Sequence, residues 1–193
     1  MPVPRLGMAA KAFDALATAA PRIKDIITVG KIVTEVDGGE WDAVVVDAPA
    51  TGQVGAYLNA PRTVANLVAS GRVRDQAENM HDRLASADTR LTIVTLAEEL
   101  PIAETKEAWS NLSGICGNAR VVANRVLPPL AVPQAVVASL DASPAREAAD
   151  LHHSLHGAQQ QWLTGIEHER TLPQLFGILT PHEVAARLSE EFT

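Results

Sequence analysis

Three short runs rich in β-branched residues, Ala43–Val46, Leu91–Leu96 and Ala119–Ala123, recur along the chain between longer stretches with helical spacing. Runs this short and this apolar read as strands buried on both faces. The intervening stretches are Pro61–Ser70, Arg72–Ser86 and Glu98–Leu112. Strands joined by helices of this kind form right-handed crossovers and a parallel sheet with helices packed on it. The pattern therefore predicts an α/β fold: three layers, with a mostly parallel sheet flanked by helices. Gln174–Leu179 is a candidate fourth strand. Further helices are predicted over Met8–Ala20, Arg22–Val36, Pro144–Gly165 and Pro181–Glu190, with Asp37-Gly38-Gly39 stopping the second and Pro128, Pro129 and Pro133 marking a loop. No repeat or low-complexity linker divides residues 1–193, so one domain is expected.

Composition narrows the class further. The chain has 193 residues, 47% of them hydrophobic, and only 4% aromatic, so its core must be built from Ala, Val, Leu and Ile. One cysteine, Cys116, excludes an intrachain disulfide framework and a four-cysteine zinc site, and suits a reducing cytoplasm. No apolar run reaches the roughly 20 residues that a membrane-spanning helix needs. Net charge is −7 and the basic residues are scattered, which argues against a nucleic-acid partner.

The segment Trp41-Asp42-Ala43-Val44-Val45-Val46-Asp47-Ala48-Pro49-Ala50-Thr51-Gly52-Gln53 carries the most chemistry. An aspartate closing a buried parallel strand lies at the carboxyl edge of the sheet, where ligands bind in such folds. There Asp47 can hold a magnesium ion directly or through water. Thr51 and Gly52 can offer a hydroxyl and a backbone amide to a phosphate. A plain strand-to-loop turn capped by Asp47 is the alternative reading of the same residues. Asn124, after the third run, has the acceptor and donors that fit the N6 and N7 edge of adenine; it is also a common turn former.

The run VVVDAPATGQ resembles the strand and switch loop of the ArsA-type ATPases, a family of P-loop NTPase fold that includes the arsenite-pump ATPase and the ATPase that escorts tail-anchored membrane proteins. Asp47, Thr51 and Gly52 match that pattern, whereas Gln53 stands where the family usually has histidine. LTIVTLAEELPIAET (Leu91–Thr105) and ARVVANRVLPP (Ala119–Pro129) resemble the next strands in order, and QQQWL (Gln159–Leu163) and LPQLFG (Leu172–Gly177) are similar to later family segments. The resemblance implies magnesium-dependent ATP hydrolysis coupled to conformational change. It implies that Asp47 organises Mg2+, that Thr51 and Gly52 sense the γ-phosphate, and that Asn124 contacts adenine in a pocket shaped by Arg125 and the Leu127–Pro129 loop, including Pro128. It further implies a cytoplasmic dimer, homomeric or formed with an ArsA-type subunit, and a membrane protein as a possible partner.

A phosphate-binding loop ending Gly-Lys-Thr or Gly-Lys-Ser does not occur in the sequence. Gly30-Lys31-Ile32 lacks the hydroxyl residue, and Gly38-Gly39-Glu40 lacks the lysine as well. By resemblance the chain starts about midway through such a protein and is incomplete at its N-terminus. Phosphoryl transfer depends on the loop amides, the lysine and the magnesium-binding hydroxyl, so the chain alone is expected to be inactive or weak. The alternative is a non-catalytic regulatory or binding subunit of a loop-bearing ATPase partner.

Other constellations are weaker. His152 and His156 are four apart in DLHHSLH and could share a zinc or nickel ion, yet no third ligand is evident and a polar helix face explains them. Cys116 in GICGNA reads as a small core residue. Neither a Gly-x-Ser-x-Gly elbow nor a Gly-x-Gly-x-x-Gly fingerprint is present.

Overall fold

The computed structural model describes residues 24–192. They fall into two compact units, the first holding the described residues up to Leu91 together with Ser110–Asn118, the second holding Thr92–Trp109 and the residues from Ala119 onward. The predicted helix over Met8–Ala20 lies outside the described residues, as do the first two residues of the helix predicted over Arg22–Val36.

The first unit is helical. Helix α1 covers 24–37 and buries Val29 and Val33. It stops where the sequence predicts: Gly38 N–H donates to the Thr34 carbonyl at 3.0 Å, and Gly39 takes φ +67°, a left-handed value that glycine adopts without a Cβ penalty. Helices α2 (Thr51–Leu58), α3 (Ala60–Leu67) and α4 (Arg72–Ala85) follow. Asn59 joins α2 to α3, its backbone and side-chain N–H groups both donating to the Gly55 carbonyl. Pro61 sits in the first turn of α3, where no intrahelical N–H is required. Arg83 of α4 reaches the Asp37 carboxylate at the end of α1, Nε to Oδ1 at 3.1 Å. Glycine allows a close approach at Gly30, where a Cβ would meet Met80 Cε at 2.7 Å. Gly117 is more demanding: a Cβ there would lie 2.2 Å from the Ser86 carbonyl oxygen. Tyr57 is buried, and that burial, with the Asp25 carboxylate nearby, raises its phenol above its ordinary pKa.

The second unit holds most of the sheet. Strands β1 (Arg90–Leu96), β2 (Asn118–Val126) and β3 (Arg170–Pro173) are ordered β1-β2-β3. β2 and β3 run parallel, with Val122 opposite Arg170 and Ala123 opposite Thr171. Near the amino ends of the other pair, Arg120 Nε donates to Thr92 Oγ1 at 2.9 Å, as parallel neighbours allow. Helices α5 (Glu99–Leu112), α6 (Gln134–Ala138), α7 (Pro144–Leu163) and α8 (Pro181–Ser189) alternate with and follow the strands, and a short 3-10 turn spans Glu190–Phe192. The result is the predicted α/β architecture, a small parallel sheet flanked by helices.

Burial explains which strand is central. Three consecutive residues of β2, Val121, Val122 and Ala123, are buried, so both faces of that strand are covered. β1, at the edge of the order, buries only alternate residues, Ile93 and Thr95, while Val94 is exposed. Ala97, Ala123, Val126 and Leu163 form one buried cluster that ties the end of β1, β2 and the last turn of α7 together.

Two strand expectations need correction. Ala43–Val46 forms no strand: residues 43–50 carry no regular structure, and Val45 is 94% exposed. A strand is stabilised by ladder partners on its backbone. Among the described residues none pairs with this run, so its β-propensity has nothing to act on. Gln174–Leu179 is not a strand either. β3 comes earlier, at Arg170–Pro173, where Glu169 N–H and Gln174 N–H donate to the Val121 and Val126 carbonyls, both at 2.8 Å. Beyond it Phe176 and Ile178 are exposed, and Gly177 at φ +107° breaks the extended run. Helix α2, whose Thr51-Gly52 start looks like loop, and α6, hidden among prolines, show no clear helical signal in the sequence.

Helix α8 begins with a reciprocal capping box. Thr180 N–H donates to Glu183 Oε2 at 2.8 Å, and Glu183 N–H donates to Thr180 Oγ1 at 3.3 Å. These bonds favour the ionised carboxylate and hold Glu183 below its usual pKa. The cap is therefore fully present above the ordinary carboxylate range and is lost as pH falls through the lowered value. NMR shifts of residues 181–184 should therefore move toward coil values on acidification, and Glu183→Gln should weaken that dependence. Burial makes a second contrast. Val122→Ala should cost about 2–3 kcal/mol by urea unfolding, whereas Val45→Thr should stay within about 0.5 kcal/mol.

Candidate functional site

The carboxyl end of β2 departs from regular strand geometry. The ladder with β3 shifts register between Ala123 and Val126, so a bulge falls at Asn124-Arg125. Arg125 has φ 55°, the only positive value at a non-glycine residue among those described. The left-handed region costs an L-residue roughly 1–2 kcal/mol. The local bonds that hold it are specific. Asn124 turns its side chain back, and Oδ1 accepts from the Arg125 N–H at 2.9 Å. Asn124 is half-buried and Arg125 is exposed. The Asn124 Nδ2 donors and a remaining lone pair on Oδ1 are left for another partner.

The loop that follows is fixed by α7 through a series of polar contacts. His156 Nδ1 donates to the Leu127 carbonyl at 2.8 Å, His152 Nε2 to the Pro128 carbonyl at 2.7 Å, and His153 Nε2 to the Val132 carbonyl at 3.0 Å. Because a carbonyl can only accept, the tautomers follow: the proton sits on Nε2 of His152 and His153 and on Nδ1 of His156. One turn further, Leu127 N–H donates to Gln159 Oε1 at 2.8 Å, while Gln159 Nε2 donates to the Arg125 carbonyl at 3.3 Å. The three histidines thus share one polar face of α7, and their rings brace a proline-rich loop. Among the described residues, no group of three His, Cys, Asp or Glu side chains is placed to hold a metal ion. The DLHHSLH spacing pointed to one helix face, but the loop it meets is distant in sequence.

Asn124, Arg125 and Pro128 therefore lie together on one bulge and loop. Asp47, Thr51 and Gly52 form a second group, in the other unit. Asp47 is exposed in the irregular segment before α2, not at the end of a buried strand as predicted. Thr51 and Gly52 open α2 itself. Ala50 at the N-cap supplies no side-chain bond, and the first turn contains no acid. Gln53 and Val54 N–H groups donate to the Ala50 carbonyl, at 2.8 and 3.0 Å. The amides of Thr51 and Gly52 have no intrahelical acceptor, and the end of the helix dipole there favours negative charge. A Cβ added at Gly52 would meet nothing within 4 Å, so the space beside it is open.

A cavity of about 530 Å³ lies elsewhere, at the amino end of β2. Lys106 and Trp109 of α5, Arg120 of β2 and Glu167–Glu169 line it. Arg120 is ion-paired there with Glu169 at 2.8 Å. None of Asp47, Thr51, Gly52, Asn124, Arg125 and Pro128 borders this cavity, and it lies toward the opposite end of β2 from Asn124. No motif in the sequence marks it, because its lining comes from three separated segments. Cys116 is a buried free thiol, and its burial raises its pKa, which keeps it protonated and poorly nucleophilic.

No protein-family model matches the chain. It is 35% identical over 130 residues to the ATPase BagA of Mycobacterium tuberculosis, a match that covers 64% of this chain and 38% of that protein. The same identity and coverage relate it to Mb3704 of Mycobacterium bovis. The chain thus spans about two fifths of the length of the curated relatives it matches. The likeness extends to ATPases in general terms.

The exposure of Asp47 generates a prediction. No hydrogen bond or ion pair ties its carboxylate to another described residue, so Asp47→Ala should leave the unfolding midpoint within about 0.5 kcal/mol of the parent. A larger loss would mean that the carboxylate is a structural cap.

Proposed function

We propose that this chain carries the switch segment and the base-contact segment of an ArsA-type, ATP-binding ATPase. The observation that carries this reading is the bulged carboxyl end of β2. It presents a half-buried asparagine amide where ligands of parallel α/β sheets bind, in a chain related at 35% identity to an ATPase. Asn124 contacts the adenine edge, and Arg125 and the loop through Pro128 shape its surroundings. Thr51 and Gly52 receive a phosphate at the start of α2, where the uncapped amides and the absence of an acid suit an anion.

The residues present fit a magnesium-nucleotide in chemical type. Mg2+ is usually held by one or two carboxylates with substrate phosphates and water, and the single carboxylate of Asp47 meets that need without a dedicated protein cage. Bound there, the ion would neutralise charge on the phosphates. What the chain itself contributes is orientation: a carboxylate, a hydroxyl and two amides on one short segment, and an amide side chain on the bulge of β2.

The sequence contains no Gly-Lys-Thr or Gly-Lys-Ser loop, and positioning by such a loop supplies much of the catalysis in phosphoryl transfer. The proposed assembly is a dimer with a loop-bearing ArsA-type subunit, and the alternative is a non-catalytic regulatory or binding subunit of such a partner. Among the described residues nothing pairs with the Val44–Val46 backbone, which suits a partner chain. A cytoplasmic setting and a membrane-protein client belong to the same proposal. Among the described residues no helix is long and apolar enough to cross a membrane.

The 193-residue chain with Mg2+ and ATP should show turnover at or near the uncatalysed rate while binding a fluorescent ATP analogue. Asn124→Ala should weaken that binding about tenfold, the effect of losing one or two net hydrogen bonds. Robust turnover by the chain alone, or no nucleotide binding at all, would overturn the reading.

A further inference from the structure

We infer that Gln159 is a positioning residue: its side-chain amide sets the backbone of Arg125 and Leu127 so that Asn124 is presented for base recognition. The nucleotide part of this inference rests on the adenine reading above; the structural part does not.

A register shift takes backbone groups out of the ladder, and each must find another partner. The Arg125 N–H is taken by Asn124 Oδ1. The Arg125 carbonyl and the Leu127 N–H remain, one acceptor and one donor. Gln159 answers both with one planar group: Nε2 donates to the Arg125 carbonyl at 3.3 Å, and Oε1 accepts from the Leu127 N–H at 2.8 Å. A primary amide is suited to this task because it carries a donor and an acceptor side by side. A carboxylate of similar length can only accept, and a hydrocarbon can do neither.

The position of Gln159 on α7 makes the contact directional. The next turn buries Leu163 in the cluster with Ala123 and Val126, so α7 is anchored to the same stretch of β2 that carries the bulge. The clamp and the anchor bracket Asn124. The Arg125 N–H that holds Asn124 Oδ1 and the Arg125 carbonyl that Gln159 holds belong to the two peptides that meet at the Arg125 Cα, so fixing the second restricts the dihedrals through which the first, and the Asn124 amide with it, can turn. Strain of this kind at a ligand edge is maintained only where neighbouring bonds over-determine it. His152, His153 and His156 act on carbonyls from Leu127 onward and leave the Arg125 peptide untouched.

The test uses the full 193-residue chain with Gln159→Leu, Gln159→Glu and, as a control on the exposed side of the same helix, Gln160→Leu. Amide exchange of Arg125 and Leu127 is followed by NMR, and ATP and GTP affinities by competition against a fluorescent ATP analogue, with tripolyphosphate as a ligand that lacks a base. Gln159→Leu should speed exchange at Leu127 about tenfold and reduce the ATP-over-GTP preference by a similar factor, leaving tripolyphosphate affinity unchanged. Gln159→Glu keeps the acceptor for Leu127 and should retain its slow exchange while losing base preference; this variant also covers the case in which the leucine variant fails to fold. Gln160→Leu should resemble the parent. Unchanged exchange in Gln159→Leu, or faster exchange with an unaltered ATP-over-GTP ratio, would overturn the positioning role. If the parent chain binds no nucleotide, the adenine reading falls by itself, and the exchange data still decide whether Gln159 holds the bulge.

Discussion

Burial of the middle of β2 on both faces is the constraint from which the second unit follows. Val121, Val122 and Ala123 leave no solvent-facing side to that strand. Strands must then pair on each edge and helices must cover each face. β1 and β3 supply the edges. Leu163 brings the last turn of the long helix onto Ala123 and Val126. Beyond these contacts, at the carboxyl end of the strand, the ladder slips and Arg125 turns left-handed. The irregular point sits directly beyond the most rigid part of the sheet, which is where a recognition group gains most from a stiff support.

The loop after that point shows how a chain manages backbone groups that cannot enter a ladder. Pro128 and Pro129 have no N–H, so regular pairing is closed to them. Their neighbourhood keeps its carbonyls, and donors must come from side chains. Three imidazoles and one amide on α7 provide them at spacings that return to one helix face. An imidazole N–H donates whether the ring is neutral or cationic, so these braces do not depend on a single charge state of the histidines. The chain has thus placed its polar residues where an apolar contact would have left carbonyls unsatisfied.

The sequence made the fold class legible because alternation of β-rich runs and helices is a short-range signal. Leu91–Leu96 and the core of β2 were readable from β-branched residues alone, and α7 from its proline start and its length. Ala43–Val46 carries the same signal more strongly and is not a strand, since pairing is a property of neighbours and not of the run itself. β3 was misplaced because RTLP is short and polar at one end, while the more apolar QLFGIL beside it is interrupted by Gly177. At the site, Asn124 could be singled out from its position after a strand. Gln159 was recognised only as part of a family-like segment, because its role depends on two backbone atoms more than thirty residues away. The three histidines were noticed for their spacing, but their acceptors are carbonyls, which no sequence displays.

The bare valines have a consequence for how the molecule behaves in bulk. Val44–Val46 is a β-prone, uncharged triplet that no described residue pairs in a ladder, and the carboxylates of Asp42 and Asp47 stand on either side of it. Like charges at both ends of such a triplet discourage stacking of one copy on another. The net charge of −7 adds a longer-ranged repulsion between molecules. Both protections are electrostatic, so acid or high salt removes them together while leaving the valines as sticky as before. The colloidal stability of a concentrated solution is accordingly governed by a few acidic groups rather than by the strength of the fold.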